Sequence, residues 1–218
     1  MNDVPMGSYS VKGVRLLSRF LDFPEEWVKS CESGILQTET CWNWCEKNET
    51  VQPIEAGLIA RGCVVKTDIG GVVALVGYRF DNTDVTKKRI TGSNLFLVGP
   101  VDATSYLTRI VVHYRPSDSE LLRQALEKRF GKFEFDAGAG AWVWHSTIVD
   151  KKGEQIGTET ITFPKANTKN LYILHHNFLP DEKSVGTFVM DTDVIRNWMW
   201  RNVKREQDKE VDRIKDNF

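Results

Sequence analysis

The stretch from Ser105 to Phe163 constrains the fold more than any other part of this chain. Residues 105–115 alternate between apolar and polar side chains, as a strand buried on one face must. Pro116 and Ser117 interrupt that pattern. Leu121, Leu122, Ala125, Leu126 and Phe130 then recur at helical spacing. Ser117 followed by Glu120 has the form of a capping box, in which the hydroxyl takes a free amide and the carboxylate reaches back. Lys128, Arg129 and Lys132 complement the negative end of the helix dipole, and Gly131 supplies a left-handed stop. Strand character resumes over residues 141–149 and again over 159–163. A strand, a helix and further strands, separated by short turns, read as a sheet with a helix packed across it.

The flanking segments extend this pattern. Residues 63–80 read as a β-hairpin, two runs rich in β-branched residues joined by a turn containing Gly70 and Gly71. Short strands are expected at residues 94–98 and 171–176. Before the hairpin the periodicity is helical but broken. Leu16 with Phe20, and Leu17 with Phe20 and Leu21, suggest one helix. Asp22, Pro24 and the two glutamates after it suggest the start of a second, carrying Trp27. Residues 40–47, with Trp42 and Trp44, suggest a further helical turn. The expectation is an α+β fold: an N-terminal helical layer, a mainly antiparallel sheet of roughly six to eight strands, one helix packed on it and a protruding C-terminal helix. Residues 1–190 would form a single α+β domain and residues 191–218 the terminal helix, with Asp191 or Thr192 as its N-cap.

Composition excludes several classes of protein. A formal charge of −1 over 218 residues provides no global field for nucleic acid or an anionic membrane. The longest apolar run, around residues 71–77, is far too short to span a bilayer. The first ten residues lack the basic and apolar regions of a signal peptide, which implies a cytoplasmic chain if it is full length, or an extracytoplasmic one if a signal has been removed. Cys31, Cys41, Cys45 and Cys63 do not have the paired spacing of a zinc knuckle. They read as buried thiols, with disulfides among them as the alternative.

Candidate site residues are sparse. On the strand at residues 105–115, His113 shares a face with Arg109, Val111 and Arg115, opposite Ile110, Val112 and Tyr114. If the strands holding His145 and His175 or His176 are its neighbours, their imidazoles could converge on an open sheet face and hold Zn²⁺ or act as acid and base. Trp142 and Trp144 could form a stacking platform for single-stranded nucleic acid or carbohydrate if they face outward, and otherwise belong to the core. The glycines between Asp136 and Ala141 follow a helix and precede a strand, the reverse of a phosphate cradle, so they form a turn. In the last segment, Ile195, Trp198, Met199 and Val203 form a stripe suited to docking, while Val211, Ile214 and Phe218 continue a weaker apolar seam through a highly charged helix.

No cofactor motif is present. The reading is therefore a non-enzymatic interaction module, of binding or inhibitor type, that engages a protein partner through its sheet face or its terminal helix. Trp142, Trp144, Trp198, Val211, Ile214 and Phe218 are its candidate contact residues. The terminal helix is also where a homo-oligomer would form. Two alternatives remain: a metal-dependent or hydrolytic enzyme built on the histidines, and a nucleic-acid or carbohydrate binder built on the tryptophans.

Overall fold

The computed structural model describes residues 7–11, 13–19, 22, 41–43, 63–82, 105–169 and 184–215. The strands in chain order are β1 (Ser10–Val11), β2 (Val14–Arg15), β3 (Cys41–Asn43), β4 (Cys63–Ile69), β5 (Val72–Asn82), β6 (Ser105–Tyr114), β7 (Glu134–Asp136), β8 (Ala141–Val149), β9 (Gln155–Pro164), β10 (Thr168–Lys169) and β11 (Ser184–Thr192). Among the described residues two α-helices accompany them, α1 (Ser119–Phe130) and α2 (Val194–Lys215). The main sheet runs β3–β4–β5–β6–β11–β9–β8–β7, with β10 pairing the start of β11. All of its pairings among the described residues are antiparallel. The chain is α+β with an antiparallel sheet, as its periodicity implies.

Local chemistry explains most of the turns. β4 and β5 close with Ile69 opposite Val72, leaving Gly70 and Gly71 as a two-residue loop at φ 63° and 91°. Two consecutive positive φ angles are what the primed hairpin turns require, and two glycines adopt them without steric cost. Asp150 closes the β8–β9 connection by accepting the Lys152 and Glu154 N–H groups on one carboxylate oxygen. Helix α1 ends as its sequence implies, with Gly131 at φ 90° donating its N–H to the Glu127 carbonyl. Its start differs. Pro116–Asp118 form a 3₁₀ turn, Asp118 is the N-cap, and no capping box forms between Ser117 and Glu120. Glu120 instead accepts hydrogen bonds from Arg123 and Gln124, one turn along the helix.

One face of the sheet carries the core. Val72, Ala74, Val76, Tyr78 and Phe80 of β5 alternate onto it, joined by Leu107, Ile110, Val112 and Tyr114 of β6. Phe188 and Met190, Ile161 and Phe163, and Trp144 continue the layer across β11, β9 and β8. Leu122 and Leu126 of α1 cover part of this face, and Tyr9, Val11 and Leu16 of the N-terminal segment cover another part. A second cluster, Leu17, Tyr106, Ile148, Val194, Ile195 and Met199, seats the beginning of α2.

The N-terminal helical layer is not supported. Val14 and Arg15 lie in β2, paired with β1 across Gly13 at φ 83°. Leu16 and Leu17 are both buried, in different clusters, so their spacing reflects a chain that threads between two cores and not one helical face. Cys41–Asn43, expected to be helical, is a strand paired with β4. The expected second helix with Trp27, and Trp44, lie outside the described residues, as do the expected strands at 94–98 and 171–176.

Strand β11 was not legible in the sequence because Gly186 interrupts it and Asp191 and Thr192 resemble a helix cap. It is nonetheless the link between the two hairpin-built halves of the sheet, pairing β6 on one side and β9 on the other. Its pairing with β6 ends at Asp191 opposite Arg109, while it stays with β9 through Thr192 opposite Glu159. The N-terminal segment occupies the space this leaves beside β6. Leu17 donates its N–H to the Leu107 carbonyl at 2.8 Å, and Leu107 returns one to the Ser18 carbonyl at 2.9 Å.

Candidate functional site

The face of the sheet opposite the core holds the polar residues of the central strands. Cross-strand register places Arg79, Arg109, Asp191, Thr160 and His145 in one transverse row over β5, β6, β11, β9 and β8. Within the row, Arg109 and Asp191 form an ion pair. The His145 ring Nδ1 lies 3.2 Å from the Thr160 hydroxyl. Arg109 Nε is buried without a hydrogen-bond partner. Among the described side chains of the row Arg109 is paired with Asp191 and His145 with Thr160, and Arg79 joins them by backbone register.

The two described histidines share this face but do not converge. His113 is half-buried on β6, its Nδ1 3.0 Å from the Thr187 hydroxyl, and burial pushes its pKa down to about 4. His145 is exposed on β8. Strands β11 and β9 stand between them, a lateral separation of roughly 14 Å. Their register positions also differ, since His113 lies opposite Thr187 and His145 lies level with Asp191 through Thr160. Four residues along a strand add roughly 13 Å, so no ion with nitrogen ligands at about 2.1 Å can bridge the pair. Among the described residues no group of three His, Cys, Asp or Glu side chains could hold a metal. His175 and His176 lie outside the described residues.

The tryptophans take the opposite orientation to the one a binding platform needs. Trp142 and Trp144 lie on the core face of β8. Trp144 is 6% exposed, packs against Phe133 and donates its indole N–H to the Gly131 carbonyl at 2.8 Å. Trp142 is partly exposed at the sheet margin, between Phe135 and the Arg123 guanidinium. One wall of its ring is therefore already covered by a cation held between Glu120 and Glu127.

Backbone register speaks against one of the disulfide pairings open to the four cysteines. Cys41 pairs with Val65 and Cys63 with Asn43, which sets the two cysteines diagonally across β3 and β4. Diagonal neighbours stand roughly 7–8 Å apart, beyond the reach of a disulfide. Cys31 and Cys45 lie outside the described residues.

Helix α2 has two distinct faces. Val194, Ile195 and Met199 are buried, with Trp198 packed against them, so Trp198 belongs to the anchoring face and not to a free contact surface. Arg201 adds a hydrogen bond to the Gln155 carbonyl. Asp193 sits at the N-cap position, its carbonyl accepting the Asn197 N–H, while its carboxylate accepts the Thr158 N–H at 2.7 Å and ties the helix to β9. No helix of the described residues is long and apolar enough to cross a membrane. Trp200 and Val211 are 48% and 49% exposed. At 100° per residue they fall within about 20° of each other, nearly opposite the anchoring face. Trp200 was not legible in the sequence as a contact residue because Trp198, two residues earlier, falls in the apolar stripe that anchors the helix. Its helical phase, shared with Val211, Ile214 and Phe218, was the available signal. The side chain of Ile214, and Phe218 itself, lie outside what the structure describes.

A buried carboxylate is the other residue that sequence reasoning missed. Glu159 is 0% exposed on the core face of β9. One oxygen accepts both the backbone N–H and the hydroxyl of Ser8, and the other has no partner. A Cβ on Gly7 would collide with that second oxygen, so only glycine lets the N-terminal segment lie this close. Tyr9, next along, has its pKa pushed up to about 12 by burial and then by the charge of Glu159.

No protein-family model, curated protein or solved structure matches this chain.

Proposed function

We propose that the protein is a non-enzymatic interaction module whose contact element is the distal part of α2. One observation carries the reading. The helix is anchored through Val194, Ile195 and Met199 on one face, yet runs on to Lys215 with Trp200 and Val211 about half exposed on the other. A 22-residue helix is about 33 Å long, and only its first turns are seated in the core. Beyond Asn202 all side chains the structure describes are exposed. A helix that leaves its own core while keeping an apolar stripe suits the docking of a partner helix or groove. The open face of the sheet is the less favoured surface, because Arg109 and Asp191, and His145 and Thr160, are paired with one another there.

The test compares the full chain with one ending at Asn202 in an affinity capture read by quantitative mass spectrometry. A stoichiometric partner retained by the full chain alone supports the reading. A partner held equally by both chains moves the contact to the sheet, and no partner with either rejects the interaction reading.

A further inference from the structure

We propose that the partner of α2 is an acidic protein surface, met through Arg196, Trp200, Lys204, Val211 and Lys215. The proposal rests on the interaction reading above and names the chemistry of the partner. Helix α2 carries seven Arg and Lys residues against four Asp and Glu, a net +3 on a chain whose formal charge is −1. At 100° per residue, Arg196, Trp200, Val211, Lys204 and Lys215 fall in that order around an arc of about 100°. All five side chains are exposed. The anchoring residues Val194, Ile195 and Met199 lie outside this arc, toward the far side of the helix. The acids of the helix, Glu206, Asp208, Glu210 and Asp212, also take sequence positions outside it, with Asp208 just beyond Lys215.

The cations on this face are available to a partner. Among the described residues the side chains of Arg196 and Lys204 form no ion pair or hydrogen bond, whereas Arg201, outside the arc, is engaged by the Gln155 carbonyl. Lys215 stands 3.8 Å from Asp212, with both side chains more than 70% exposed. An exposed pair at that distance contributes little, so Lys215 can exchange it for a partner carboxylate. Arg196, Trp200 and Lys204 succeed one another at one-turn intervals, which sets the exposed indole between two cations. An aromatic anchor bordered by charge suits a pocket rimmed with carboxylates. Trp200 and Val211 are roughly 16 Å apart along the axis, with Lys204 at a height between them. Two separate pockets in a protein surface accommodate that arrangement. A membrane-bound helix instead keeps its cations on the face opposite its apolar stripe. The same face of a second copy presents the same cations, so an acidic surface is the better complement.

The test titrates the full chain into a fluorescein-labelled amphipathic peptide with leucine on one face and glutamate on the other, read by anisotropy. Binding with a Kd of about 1–100 µM is expected at low salt, weakening at least about tenfold at about 0.5 M salt. The same peptide with lysine in place of glutamate should not bind. Trp200→Ala, and separately Arg196→Glu combined with Lys204→Glu, change exposed positions only. Each should weaken binding at least about tenfold while leaving circular dichroism and melting temperature unchanged. No binding, equal binding of the lysine peptide, or binding indifferent to these substitutions overturns the acidic partner. Sedimentation with phosphatidylserine vesicles that is lost in Trp200→Ala overturns it in favour of a membrane, and a dimer of the chain lost in Trp200→Ala overturns it in favour of a second copy. The affinity capture separates this from the broader reading: a partner that requires the residues beyond Asn202 but is indifferent to the charge reversal refutes only its acidic chemistry.

Discussion

Replacing Gly186 with alanine should test how β11 joins the two halves of the sheet. Gly186 lies opposite Tyr114 across β11 and β6, and the tyrosine ring covers it. A Cβ built on Gly186 would stand 2.1 Å from Tyr114 Cε2, 2.5 Å from Cζ and 2.7 Å from Cδ2. Carbon atoms pack best at about 3.5–4.0 Å, so the ring must retreat by at least about 1.4 Å. It has little room to do so. Tyr114 is 1% exposed, stacked against Phe163 at 5.8 Å and tilted against Phe188 at 6.2 Å between centroids. The backbone at Gly186 is not left-handed, so alanine adds steric cost alone. Overpacking of a dense core costs roughly 1–3 kcal/mol, and three aromatic rings shifting together place this variant near about 3 kcal/mol. For a chain of this size that corresponds to a fall in Tm of roughly 6–12 °C. Urea unfolding followed by tryptophan fluorescence measures the loss directly. The same substitution in a Tyr114→Leu background should cost under about 1 kcal/mol, since the ring that blocks the methyl group is gone. A loss below about 0.5 kcal/mol in the native background, or strict additivity of the two substitutions, would refute the packing argument.

Two further outcomes follow from buried polar groups. His113 is held down to about 4 by burial, against 6.5 in the unfolded chain, so below pH 6.5 the unfolded state binds the extra proton. Stability should fall with pH over this window and level off below about pH 4. His113→Leu should reduce the loss between pH 6.5 and 4.5 by at most about 2 kcal/mol, and equal pH slopes in the two proteins would show that the imidazole is not responsible. Ser8→Ala should destabilise the protein by roughly 1.5–3 kcal/mol by removing the hydroxyl bonded to the buried Glu159 carboxylate. An unchanged denaturation midpoint would mean that the N-terminal segment is not anchored there.

The legible parts of the fold are those whose signal is local. The Gly70-Gly71 turn, the Gly131 stop and the alternation over residues 105–114 and 141–149 each depend on residues adjacent in the chain, and each is found where the sequence places it. The docking stripe of α2 was legible for the same reason. Illegible parts depend on distant residues. Nothing near Gly186 announces Tyr114, and nothing near Ser8 announces Glu159, 151 residues away. The histidines show the same limit, because alternation gives the neighbours of His113 and of His145 on their own strands but not the two strands that stand between them. Alternation also left open which face of β8 was buried. That was decided by α1 and Phe133 covering the tryptophan side.

Sequence alone determined where strands and helices could begin and end over most of residues 105–164, the class of the fold, and a terminal helix with an apolar stripe too long for its docking site. Hydrophobic period and turn chemistry act over a few residues, which is why they can be read directly. Tertiary structure decided the order of the strands, the insertion of β11 between the two halves, the replacement of an expected N-terminal helix by a hairpin and a following segment, residues 17–19, that fills the gap beside β6, and the outward orientation of Trp200. Each of these follows from competition among distant segments for the same buried surface. Backbone groups of β6 left unpaired past Asp191 must find partners, and residues 17–19 reach them at the expense of their own helical preference.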